Sequence, residues 1–87
     1  MYIIIVYDIN VDRVNKVKSF LRQHLFWIQN SVFEGEVTES QLKEIMTKLK
    51  DIIDEDADSI IIFKIRTEDQ IERKIIGIEK AKINQIL

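Results

Sequence analysis

The chain has 87 residues with an apolar share of 46% and no proline, a composition for one packed domain rather than a disordered segment. Cysteine is absent, which excludes a disulfide framework and a thiolate metal site. The net charge of −2 taken alone argues against nucleic-acid binding, but it is unevenly spread: +2 over residues 1–33, −6 over 34–58 and +2 over 59–87, so a positive face is compatible with the acidic total.

The first stretch, Tyr2 to Tyr7, is wholly apolar or aromatic and rich in β-branched residues, the pattern of a strand buried on both faces. It has no basic leader and meets Asp8 at once, so it does not read as a signal peptide. No apolar run approaches the roughly 20 residues that a spanning helix needs. A soluble, cytoplasmic protein without membrane contact is expected. Asp8 places a carboxylate where the strand gives way to a loop, a position where ligands gather in small α/β folds.

From about Val11 to His24, apolar residues at Val14, Val17, Leu21 and Leu25 recur at helical spacing, with Asn10 or Asp12 as N-cap. Arg13, Lys16 and Arg22 fall largely off that stripe and, with Lys18, give this helix its basic charge. Residues 26–37 read as two strands, about Phe26–Gln29 and on through Val37, joined by a tight turn near Asn30-Ser31. Thr38 to Gln41 matches a capping box, and Val37 and Leu42 occupy the positions of a hydrophobic staple. A second helix follows, with Leu42, Ile45, Met46, Leu49, Ile52 and Ile53 along one face, and stops in the acidic run Asp54 to Asp58. Ile60 to Ile65 is another strand apolar on both faces, and Lys74–Ile78 reads as a short last strand.

This order predicts an α+β fold: a ferredoxin-like split βαβ (βαββαβ) with an antiparallel sheet and an extra C-terminal strand, one domain over residues 1–87. In such a fold both helices cover one sheet face. Strands apolar on both sides would leave the other face as an Ile-rich patch of the kind that marks an interface. A homodimer is therefore expected, with the C-terminal strand and tail, about 72–87, crossing to the partner. Phe33, Ile76 and Ile78 are the residues expected at that interface, Phe33 being equally readable as core.

Tyr7-Asp8-Ile9 at the end of the first strand, together with Gln29-Asn-Ser-Val-Phe-Glu-Gly35 after a basic helix, resembles the CRISPR-associated protein 2 family, over nearly the whole chain. The resemblance implies a ferredoxin-like homodimer that binds a divalent metal, usually magnesium and alternatively manganese, through Asp8. It also implies metal-dependent endonuclease activity on single-stranded RNA or duplex DNA, and a place beside the CRISPR integrase in spacer acquisition. The family often carries a run of arginines after the matching aspartate, where this chain has Arg13, Lys16 and Lys18.

Each candidate residue also has a plainer reading. Asp8 could simply bond loop amides, and one carboxylate is a poor site for a hard cation; two copies of Asp8 across a dimer axis would change that count. Arg13, Lys16, Lys18 and Arg22 could contact phosphates without reading sequence, or form a solvated helix face. Ser31 could join them, but it has no His–carboxylate partner to make it a nucleophile, and its hydroxyl more simply serves the hairpin backbone. Gly35 marks a bulge or a close backbone approach rather than a phosphate loop. Three functions follow: a metal-dependent endonuclease acting through Asp8, a non-catalytic DNA-binding scaffold of the integration complex, and an unrelated ferredoxin-fold regulatory dimer.

Overall fold

The structure, a computed structural model, describes residues 1–81. The elements follow the order β1 (Tyr2–Asp8), α1 (Val11–Leu21), β2 (Phe26–Gln29), β3 (Val32–Glu36), α2 (Glu39–Ile52) and β4 (Ser59–Ile65), with a short 3₁₀ turn at Glu68–Gln70. The sheet runs β2-β3-β1-β4 with every neighbouring pair antiparallel, the ferredoxin-like arrangement expected from the element order.

Side-chain alternation along β1 decides where the core sits. Ile3, Ile5 and Tyr7 point under the helices and are buried with Val17 and Leu21 of α1 and Leu42, Ile45 and Leu49 of α2. Each such aliphatic side chain contributes roughly 1.5–3 kcal/mol through removal from water. β4 follows the same rule: Ile60 and Ile62 pack against this core, while Ile61 and Phe63 face the other way and are exposed. Register puts Ile61 beside Val6 and Phe63 beside Ile4, so the helix-free face carries a continuous apolar strip.

The helix ends follow local chemistry. Thr38 caps α2: its hydroxyl accepts from the Gln41 amide at 3.1 Å, and the Gln41 side chain accepts from the Thr38 amide at 2.8 Å. Val37 and Leu42 of the staple are both buried. Asn10 caps α1, accepting from the Asp12 amide. α1 is shorter than its periodicity predicts: residues 22–24 leave the α-helix because Gln23 and His24 donate to carbonyls three residues back, which tightens the last turn and drops Leu25 into the core. In the β2–β3 hairpin Asn30 takes a φ of +41°, and the Trp27 indole donates to its carbonyl at 3.0 Å.

Two expectations need correction. Lys74–Ile78 forms no strand in the single chain; the segment after the 3₁₀ turn has no regular structure up to Glu79. The segment pairs with neither edge strand, β2 or β4; Gly77, at φ +92°, turns the backbone out of an extended path, and Ile76 and Ile78 are exposed. Phe33 does not line a surface at all. It is fully buried on the helix side of β3, opposite Ile5 and stacked on Tyr7 at 6.2 Å, so within one chain it is core. The rest of the C-terminal tail, 82–87, lies outside the described residues.

Candidate functional site

Asp8 ends β1 on the helix-free face. It is exposed and pairs across the ladder with Ser59. Its carboxylate makes no hydrogen bond or ion pair among the described residues, so the plainer role, bonding loop amides, is not what it does. The sheet around it is apolar: Ile61 and Phe63 are each 51% exposed and Phe26, farther across the sheet, 62%.

The loop that follows Asp8 is tied down by a residue the sequence reading passed over. Asp58 closes the α2–β4 loop with its side chain fully buried. One of its oxygens accepts from the Asn10 amide at 2.9 Å and from Arg13 Nη2 at 3.1 Å; the other accepts from Arg13 Nε at 2.6 Å and from the Asp54 amide at 2.9 Å. The Arg13 guanidinium, helped by the two backbone amides, holds the Asp58 carboxyl well below the ordinary carboxylate range against the opposing effect of burial. Arg13 is raised in turn, chiefly by its bond to Asp58. The acidic run that reads as an unfavourable helix end therefore contains an internal anchor.

Among the described residues none of the basic side chains pairs with Asp8. Arg13 is engaged by Asp58. Lys16 and Arg22 are exposed and Lys18 half-buried on or just beyond α1, which covers the opposite sheet face. Ser31 sits half-buried in the hairpin, where its carbonyl accepts from the Tyr7 amide at 3.1 Å. The Tyr7 hydroxyl is buried with no hydrogen-bond partner among the described residues, and burial pushes the phenol up against weaker opposition from Arg22 and Ser31. Gly35 is a close approach, as its neighbours require: a Cβ there would meet Leu25 Cδ2 at 3.0 Å. His24 sits beyond the end of α1 with its ring edge-on to Phe20 at 4.9 Å.

A second polar group lies elsewhere on the helix-free face. Glu34 is buried, accepts from the Tyr2 hydroxyl at 2.5 Å, and pairs with Arg73. Alternation along β3, which sends Phe33 inward and Glu34 outward, was the available signal for it. These residues border a groove of about 810 Å³ between the sheet and the segment around Arg73 to Ala81, and Asp8 is not part of it. Among the described residues no three His, Cys, Asp or Glu side chains converge as a metal site. A divalent cation of the magnesium type takes about six oxygens, of which one chain offers a single carboxylate at Asp8. No helix among the described residues is long and apolar enough to cross a membrane.

The family model described as CRISPR associated protein Cas2 matches residues 1–73. A CRISPR-associated endoribonuclease Cas2 from Pyrococcus furiosus is 56% identical over 87 residues, all of both chains. One of the same name from Methanothermobacter thermautotrophicus is 54% identical over all of this chain and 96% of its own. A crystal structure of a Cas2 protein superposes with a TM-score of 0.85 at 46% identity, covering 93% of this chain and 91% of the other. With its sheet order, its Asp8 at the end of β1 and a match through most of its length, the chain belongs to the CRISPR-associated Cas2 family.

Proposed function

We propose that this protein is a metal-dependent endonuclease of CRISPR adaptation that cleaves phosphodiester bonds in single-stranded RNA or duplex DNA, works as a homodimer, and partners the integrase. The carrying observation is the Asp8 carboxylate, without a partner among the described residues, on an exposed, apolar sheet face. Burying that face against a second copy would bring Asp8 and Asp8 of the partner subunit toward a common axis, which supplies the second carboxylate that one chain lacks. Magnesium, or manganese in its place, would then be held by the two carboxylates with water completing the shell.

A metal held there supplies Lewis-acid chemistry, polarising the phosphate and acidifying water. The protein's own contribution is to fix the two carboxylates at the ends of rigid strands and to keep the surrounding face dry through Ile61 and Phe63. Lys16, Lys18 and Arg22 hold the polymer's backbone and set no sequence preference. The names of the curated relatives, endoribonucleases all, support the reaction class. The exposed Ile76 and Ile78, beyond the last strand, are suited to reach the partner's sheet.

A second reading, the non-catalytic DNA-binding scaffold of the integration complex, is favoured by one observation: the described basic residues of α1 lie on the sheet face opposite Asp8, so grip and chemistry are separable. Membership of the family removes the third possibility, an unrelated regulatory domain. The deciding experiment is cleavage of labelled single-stranded RNA and duplex DNA, with and without magnesium, by wild type and by Asp8→Ala prepared identically. Metal-dependent cleavage lost in Asp8→Ala supports the nuclease. Equal cleavage by both, or none, leaves the scaffold.

A further inference from the structure

The three residues from Asp8 to Asn10 are held at both ends by two consecutive residues, the last of the α2–β4 loop and the first of β4. At one end Asp8 pairs with Ser59 in the β1–β4 ladder; at the other the Asn10 amide donates to Asp58 at 2.9 Å. Ile9 between them is half-buried and packs on the core. The same Asp58 carboxylate grips Arg13 in the first turn of α1 and the amide of Asp54 where α2 gives way to β4. Its four acceptor contacts use both oxygens, and no freedom is left to the side chain, which is fully buried.

We propose that Asp58 is a positioning residue for Asp8: it touches neither substrate nor metal, and it sets where the Asp8 carboxylate stands by clamping the loop that leaves it. This rests on the reading of Asp8 as the metal-holding carboxylate. An acid fixed to well under an ångström serves a two-carboxylate site; the same acid on a loose strand end does not. The arrangement also gives Arg13 a role apart from contact with nucleic acid, since it orients Asp58 through two parallel bonds.

The test compares wild type with Asp58→Asn, Asp58→Ala and Asp8→Ala, all as full-length chains. Amide hydrogen exchange at Asn10, followed by NMR without metal, reads the clamp itself. Manganese-induced broadening of the amides of residues 8–10 reads metal capture, and kcat and KM for cleavage with magnesium read the consequence. In the near-isosteric Asp58→Asn, well below its melting temperature, Asn10 exchange is expected to quicken and kcat to fall about tenfold, the scale of a lost outer-shell partner, with KM within about twofold. Asp58→Ala should lose more. A merely structural Asp58 would lower the melting temperature and leave kcat of the folded protein alone.

Wild-type kcat in Asp58→Asn beside an inactive Asp8→Ala would overturn this inference and leave the proposed function standing. Unchanged Asn10 exchange would overturn it as well. Failure of both Asp58 variants to fold would make the carboxylate a fold determinant only, and undiminished cleavage by Asp8→Ala would take down both readings.

Discussion

The Tyr2 hydroxyl donates to the buried Glu34 carboxylate at 2.5 Å, from β1 to the neighbouring β3, and Arg73 closes on the same oxygen from beyond the sheet. Burial, and after it the hydrogen bond and charge of Glu34, push the Tyr2 phenol far above its ordinary value. A phenol whose native pKa is raised stabilises the fold while protonated. Its contribution is complete below the unfolded value of about 10 and is lost as the pH climbs past it. Wild type should therefore lose melting temperature above about pH 10 more steeply than Tyr2→Phe. Thermal melts between neutral and strongly alkaline pH measure the difference. A Tyr2→Phe curve parallel to wild type would disprove it.

Asp58 works with the opposite sign. Its carboxyl is held low first by Arg13, so its stabilisation is present above the unfolded value of about 4 and fades as the pH falls below it. Arg13→Ala leaves a buried carboxylate without its cation and should lower the melting temperature at neutral pH. It should also flatten the acid limb, because less stabilisation remains to be lost. Melting temperatures of both proteins at a series of acidic pH values check both statements together.

Phe63 stands half exposed on the helix-free face, opposite Ile4. Wild type is expected to be a dimer by size-exclusion chromatography with light scattering at micromolar concentration. Phe63→Glu should be a monomer with an unchanged circular-dichroism spectrum, since the side chain supports no buried contact within one chain's core. A monomeric wild type would remove the interface from the account of this face.

The capping box of α2 is worth a separate measurement. Thr38→Ala removes the acceptor of the Gln41 amide and should cost about 1 kcal/mol in denaturant unfolding, with an unchanged slope. The helix itself should remain, since Leu42, Ile45 and Leu49 anchor it to the sheet.

What was legible in the sequence was what short-range chemistry dictates. β1, β4 and the Thr38 cap are set by neighbours a few residues apart, and their outlines emerged from composition and spacing. Asp8 was legible as a strand end and, from the family pattern, as a site. Asp58 was not, because its partners Asn10 and Arg13 lie 48 and 45 residues away and only the folded sheet brings them together. Phe33 was readable as core or as interface, and only the register with Ile5 decides which face of β3 it takes. Lys74–Ile78 has the residue types of a strand but pairs with neither edge strand, β2 or β4, and β-propensity largely measures such pairing.

Asp8 stands on an open sheet face rather than in a cleft, and this ties any chemistry there to mass action. On the reading proposed above, one chain presents half a site, so specific activity should climb with protein concentration until the dimer saturates. The same geometry makes the protein open to poisoning from within. An excess of Asp8→Ala chains, intact at the interface, would capture wild-type chains in mixed pairs with a single carboxylate, silencing them in proportion to their dilution.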